Sequence, residues 1–372
     1  MDHINIIGPI NRLGYGIHAN NMLKAFNDIG LTTSLTTAGE IQDNDNIDVV
    51  MQSVSTPFKN DSPTLHIFHD EYLDEFPGKY TIGFSVFETD VVPQETIQKI
   101  EKYCEMVFTT TEDHKNILIM NGITKPVEVI NEGVNPELFN VEPVDKLIDT
   151  GKYTYLVLGK NEKRKNTSKT MTALIEKVQY ENVAMILHTF NPFLKTNDIN
   201  KWYNINPIAL GYKIVEDTQY YIKFTNSYSD IYYTKAVLDT VQMKQLYHSA
   251  NVGINCSSAE GWGLPEMEMM ACGKPVIISN VIGHKEYIKN LPVYNELIIE
   301  PIGKEIANDG LFFKGNKGSW YTIDISDIKD KVKYAFENNI GETISEELSN
   351  YITTNYNWKL QAEKIKQIIN RG

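Results

Sequence analysis

Residues 255–279 read NCSSAEGWGLPEMEMMACGKPVIIS, an order that fits strand, glycine loop, helix, strand. Pro265 suits the first turn of a helix, where its missing N–H costs nothing, and it pushes Leu264 toward an extended conformation. Met267, Met270 and Ala271 recur at i, i+3 and i+4 on one apolar face, Gly273 supplies a left-handed stop, and residues 275–278 form a short β-branched strand. Glycines let backbone approach a ligand closely, and a helix N-terminus offers unpaired N–H groups at the positive end of its dipole. The stretch is therefore a seat for a phosphate or diphosphate. Glu260 on the loop is placed for a ligand hydroxyl, and Glu268, one turn into the helix, for a ribose.

Length and charge narrow the class. At 372 residues the chain exceeds one ordinary core and predicts two domains, and 42% apolar content is enough to fill both. A formal net charge of −13 excludes a nucleic-acid polyanion as the main partner and a broad electrostatic attachment to anionic lipid. Cys104, Cys256 and Cys272 are odd in number and form no C-x-x-C pair, so they read as buried thiols in a reducing compartment. The opening MDHINIIG has neither a basic n-region nor a long apolar h-region, and no later apolar run approaches a membrane span. A cytoplasmic protein is expected.

In the first half, a strand at 4–7 leads through Gly8, Gly14 and Gly16 into a helix from about 16, stopped by Gly30. Gly14, Gly16 and Ala19 satisfy G-x-G-x-x-A, but they lie several residues past the strand, and no acidic residue ends a second strand at the distance a dinucleotide site needs. Residues 47–51 and 64–68 read as strands, and Asp43 and Asp45 as a turn rather than a metal-holding D-x-D. His66 and His69 point to opposite faces of a strand and cannot share a metal, so no metal site is predicted; His69 and Asp70, at the strand's end, are better placed for substrate than for metal, or are plain loop residues. A strand at 80–87 ends at Glu88, which can cap the next helix. A helix at 94–104, a strand at 106–109, a helix at 112–120 and a strand at 127–130 follow.

Residues 142–152, polar and holding Pro143 and Gly151, form the linker. A second set of βα units opens with a strand at 153–158, the loop GKNEKRKN at 159–166 and a helix at 168–177. Lys160, Lys163, Arg164 and Lys165 crowd this helix entrance, which disfavours cations unless an anion lies there too. A strand at 183–188 precedes the long insertion 189–234, with strands at 220–224 and 231–233 and with Trp202 and Tyr203 packing beneath it. A helix at 243–249 and a strand at 252–255 lead into the opening stretch, and two helices follow residue 327.

The segment SSAEGWGLPEMEMMACGKPVI resembles the retaining glycosyltransferases of family 4, whose signature is E-x7-E within S-x-x-E-G-x-G-L-P-x-x-E-x-M-A-x-G-x-P-V-I. Gly283 and Glu286 match the family's following G-x-x-E, and Arg164 and Lys165 its R-K-N motif; Lys160 stands where many members have arginine. The resemblance implies a GT-B fold, in which two Rossmann-like αβα domains face a central cleft. Residues 1–145 would form the acceptor side, 151–350 the nucleotide-sugar side, and 351–372 a helix returning to the first domain. It also implies sugar transfer with retention from a nucleotide-sugar donor to a hydroxyl of a carbohydrate, glycoconjugate or protein, with no obligatory metal or other cofactor. Arg164 and Lys165 would meet the departing diphosphate and Glu260 the donor sugar. Gly14, Gly16, Lys160, Gly261, Trp262, Gly263, Leu264 and Glu268 would complete the donor site. Many members carry a histidine at the strand tip occupied here by Glu88, which leaves the acceptor-side group open between Glu88 and His69. The alternatives are an NAD(P)-dependent oxidoreductase using Gly14 and Gly16, and a non-catalytic nucleotide-sugar-binding module.

Overall fold

Short apolar runs alternating with amphipathic helices give two parallel-sheet units in the computed structural model. It describes residues 1–42, 44–67, 72–73, 80–189, 205–235, 237–310, 313 and 318–371. One unit comprises residues 1–135 and 354–372, the other 136–353.

In the first unit, β1 (His3–Gly8), β2 (Thr32–Thr37), β3 (Thr64–His66), β4 (Thr81–Phe84), β5 (Met106–Thr109) and β6 (Val127–Val129) form a parallel sheet in the order β2-β1-β3-β4-β5-β6. The helices are α1 (Gly14–Asp28), α2 (Ile47–Ser55), α3 (Gln94–Tyr103) and α4 (Glu112–Met120). Ile4, Ile6, Leu23, Phe26, Leu65, Ile82 and Phe108 are buried in its core. Each such side chain taken out of water contributes about 1.5–3 kcal/mol.

Two sequence expectations fail here. Residues 47–51, expected as a strand, begin α2, whose buried residues Val50 and Ser53 lie three apart on one helix face. The Ser53 hydroxyl is 2.6 Å from that of Thr33 on β2, so α2 docks on the strand that the threonine-rich TTSLTT had concealed. The strand expected over 80–87 stops at Phe84, and Glu88 lies in the loop beyond it.

In the second unit, β7 (Tyr153–Leu158), β8 (Val183–His188), β9 (Lys213–Asp217), β10 (Tyr221–Thr225), β11 (Asp230–Thr234), β12 (Val252–Asn255), β13 (Val276–Ser279) and β14 (Ile298–Ile299) form one sheet. Its order is β14-β13-β12-β7-β8-β11-β10-β9, parallel as far as β11 and antiparallel through β10 and β9. The helices are α5 (Thr167–Val178), α6 (Thr240–His248), α7 (Leu264–Ala271), α8 (Lys285–Ile288), α9 (Ile325–Glu337) and α10 (Glu346–Asn355). Met171 and Leu174 of α5 and Ile328 and Val332 of α9 share one core with Val157, Ile254 and Ile277 of the sheet. A separate hairpin, β15 (Gly303–Ile306) with β16 (Ser319–Thr322), was not foreseen; its Trp320 packs with Ala259 and Ala307. Of the insertion, 190–204 lie outside the described residues, Trp202 and Tyr203 among them.

Two helices begin beyond residue 327, as expected, α10 and then α11 (Trp358–Arg371), which packs on α1 in the first unit. A Cβ on Gly133 would lie 2.5 Å from the Trp358 nitrogen, so the two backbones can approach only at a glycine.

Candidate active site

Parallel strands converge their carboxyl ends on one edge of a sheet, where ligands of open α/β sheets bind. Two loops of the second unit meet there, 159–166 after β7 and 256–263 after β12. Main-chain bonds stitch the second loop in place. Ser258 N–H donates to Arg164 O at 2.8 Å, Glu260 N–H to Ile282 O at 3.2 Å, and Tyr321 N–H of β16 to Ser258 O at 3.0 Å. Gly283, at φ +93°, leaves room for the Glu260 carbonyl, which a Cβ there would meet at 2.3 Å.

Glu260 is 4% exposed and forms the centre of this arrangement. Its Oε1 accepts from Lys165 Nζ at 2.6 Å and lies 2.5 Å from Ser257 Oγ, and its Oε2 is 3.2 Å from the Arg164 guanidinium. Burial alone would raise its pKa, but Lys165, Arg164 and then His284 outweigh burial and hold the carboxyl well below the usual carboxylate range. Arg164, 5% exposed, also donates to the Ala259 carbonyl and pairs with Glu162 at 3.4 Å, so it braces both loops. Lys160 pairs with Glu162 at 3.1 Å. Asn166, left-handed at φ 51° where α5 begins, donates to Cys256 O at 2.9 Å and to Ser258 Oγ at 2.7 Å.

Glu268, half-buried on α7, accepts from Tyr247 OH at 2.7 Å. Burial and then the charge of Glu268 push the Tyr247 hydroxyl well above its ordinary pKa, so it stays a donor. Gly261, Trp262, Gly263 and Leu264 are buried, and the Trp262 ring turns inward against Tyr287, with centroids 5.4 Å apart. Gly263 caps α7 at φ +105° with Pro265 in the first turn.

The structure thus brings Arg164, Lys165 and Glu260 into direct contact, with Lys160 linked to them through Glu162. Chemically, this cluster sets a permanently ionised hydroxyl acceptor beside two cations at the mouth of a helix. Sequence reasoning did not single out Ser257, Asn166, Tyr247 or His284. Only Asn166 carried a usable signal, since asparagine tolerates the left-handed conformation a tight helix entrance requires.

The remaining candidates lie in the first unit. Gly14 opens α1, and a Cβ there would meet nothing within 4 Å. Gly16 is different, because a Cβ there would lie 2.3–2.5 Å from the side chain and backbone of Asn11. Glu88 is half-buried, and the nearby Val86 carbonyl accepts from Tyr15 OH of α1 at 3.1 Å. His69 and Asp70 lie outside the described residues.

Residues 227–308 match the family model described as glycosyl transferases group 1, a stretch that runs from just before β11 through β15 and includes Glu260 and Glu268. No curated protein matches the chain. Among solved structures it is similar to Anabaena Alr3699/HepE in complex with UDP and glucose, at 12% identity and TM-score 0.67, with both chains covered in full. It is also similar to sucrose-phosphate synthase from Thermosynechococcus elongatus, at 12% identity and TM-score 0.63, covering 100% of this chain and 99% of that one. Staphylococcus aureus TarM matches over 84% of this chain and 56% of its own, at 13% identity and TM-score 0.55. The fold is that of GT-B glycosyltransferases, and together with the matched segment it indicates a glycosyltransferase enzyme.

Proposed function

We propose that the chain is a retaining, metal-independent glycosyltransferase of family 4 that moves a sugar from a nucleotide-sugar donor to the hydroxyl of a carbohydrate, glycoconjugate or protein in the cytoplasm. The observation that carries this reading is the buried Glu260 carboxylate held ionised by Lys165 and Arg164 within the matched segment. Transfer must stabilise a departing diphosphate and a cationic anomeric centre, and the cluster offers charges of both signs for the two tasks. Lys165 and Arg164 meet the diphosphate with help from Lys160 and the loop 261–264; Glu260 binds the donor sugar and Glu268 the ribose. A well-placed donor of this kind contributes about 3–4 kcal/mol to the barrier reduction. In this reading residues 1–145 supply the acceptor side, with either Glu88 or His69 as its group, while Gly14 and Gly16 of the same residues approach the donor; 351–372 return to that domain.

The HepE structures hold UDP and UDP-glucose, so UDP-glucose is the first donor to assay here. A thermal-shift panel of UDP-, GDP- and ADP-sugars beside NAD+ and NADP+ tests the reading. A nucleotide sugar is expected to raise Tm, and stabilisation by a dinucleotide alone would overturn it in favour of an oxidoreductase. Slow hydrolysis of the stabilising donor, unchanged by EDTA and releasing the same anomer, distinguishes a retaining enzyme from a binding module.

A further inference from the structure

Glu268 does not hold its place alone. A capping box starts α6: the Asp239 side chain accepts from Gln242 N–H at 2.8 Å, and the Gln242 side chain accepts from Asp239 N–H at 3.0 Å. Near its other end the helix delivers Tyr247 into the interior, 0% exposed, with its ring centroid 5.8 Å from that of Phe139. There α6 packs on α7, and the Tyr247 hydroxyl donates to Glu268 Oε2 at 2.7 Å. A buried phenol needs an acceptor, and a ring packed this deeply cannot swing to another one. Burial and then the charge of Glu268 keep the hydroxyl protonated, so at neutral pH it is the donor of the pair.

The bond changes what Glu268 can do. A glutamate side chain on a half-buried helix face has several rotamers, and fixing one of them when a ligand arrives costs entropy. Here the cost falls at folding, through a side chain that is itself immobile. An ionised carboxylate has about four lone-pair sites, so one bond from Tyr247 leaves it able to accept from a diol. The vicinal hydroxyls of a ribose are such a diol. A nucleotide lacking one of them would cover a fixed carboxylate without satisfying it, and a site built to bond a hydroxyl penalises that analogue.

We propose that Tyr247 is the positioning residue of Glu268: by holding Oε2 it aims the carboxylate at the ribose hydroxyls and makes the site select a ribonucleotide over its deoxy counterpart. This rests on the donor-site reading above, in which Glu268 meets the ribose. Tyr247 acts through the carboxylate. A bond that merely ties α6 to α7 would add stability and leave the choice of sugar untouched.

The test is calorimetric titration of the full chain at pH 7 with UDP, GDP and ADP, each beside its 2′-deoxy and 3′-deoxy forms. Wild type is expected to bind its preferred ribonucleotide about tenfold or more tightly than at least one deoxy form. Tyr247→Phe, which keeps the ring, should weaken the ribonucleotide about tenfold and that deoxy form little, so the ratio narrows. In a Glu268→Ala background, Tyr247→Phe should leave the ratio unmoved. If Tyr247→Phe does not fold, Glu268→Asp asks the same question, because it withdraws the carboxylate from the hydroxyl by one methylene and should narrow the ratio alike. A variant that weakens ribo and deoxy forms by one common factor, or weakens neither, would overturn the positioning role and leave the donor site standing. If no ribonucleotide binds wild type, the donor-site reading itself fails and takes this role with it.

Discussion

Lys165 and Glu260 are buried as a pair, and removing one member strands the other. Lys165→Met leaves Glu260 with Arg164, 3.2 Å away, as its remaining ion-pair partner among the described residues, and is expected to cost about 3–5 kcal/mol of unfolding free energy. Adding Glu260→Gln to Lys165→Met should return part of that loss, because the second change removes the uncompensated charge. Urea unfolding of the two single variants and the double variant reads the coupling directly; strictly additive losses would mean the contact carries no energy. Both single variants should also lose donor turnover. This separates Glu260 from Glu268, which is bonded to a neutral tyrosine hydroxyl and whose loss should show chiefly in the donor dissociation constant.

Among the elements, the first βα turn holds two glycines of opposite character. Gly14→Ala adds a methyl into open space at the start of α1, where alanine is up to about 1 kcal/mol the better helix former. Its Tm should hold or rise, so any fall in donor affinity would be a direct sign that a ligand approaches Gly14. Gly16→Ala pushes a methyl into Asn11 and should lower Tm by several degrees whatever binds. Gly283→Ala combines a left-handed φ with a clash against Glu260 O and should disturb the site as well as the fold. Legibility in sequence followed the same physics. Gly263 and Pro265 punctuate a helix start that local rules predict, and α4, β5, β7, β8 and β12 fall on the residues expected of them. The helix α2 was hidden because Ile47, Val49 and Val50 favour a strand locally, and docking on β2 overrides that preference. The strand β9 has no buried residue to betray it.

For the molecule as a whole, pH stability should be set between neutrality and pH 4 by buried histidines. His66, His114 and His188 are each lowered by burial to a pKa of about 4 from 6.5. The unfolded chain therefore takes up protons below pH 6.5 that the folded chain refuses. The stability held above that point is lost progressively down to about pH 4, at about 1.4 kcal/mol per pH unit for each group. Glu260 adds little in this window, because the stability it contributes starts to be lost only below the unfolded carboxyl's pKa of 4.5 and goes on being lost in stronger acid. Calorimetric Tm values from pH 7.5 to 4.5 should fall steeply. His66→Leu, which replaces a ring with no hydrogen-bond partner among the described residues, should make that fall shallower while leaving Tm at pH 7.5 nearly unchanged. The parallel α/β class was legible because alternating strands and helices admit few architectures, and the GT-B form followed from the resemblance of residues 257–278, whereas the acceptor was not legible, since no local pattern in the first half ties a residue to a ligand. The main-chain stitching of loop 256–263 has a further consequence for motion. The amides of Ser258, Glu260 and Tyr321 each end on a carbonyl from a different part of the second unit, so the loop is tied down at several points. In deuterated solvent these three should exchange on the timescale of the sheet interior even before any ligand is added, as a surface that is finished in advance and does not form around its guest.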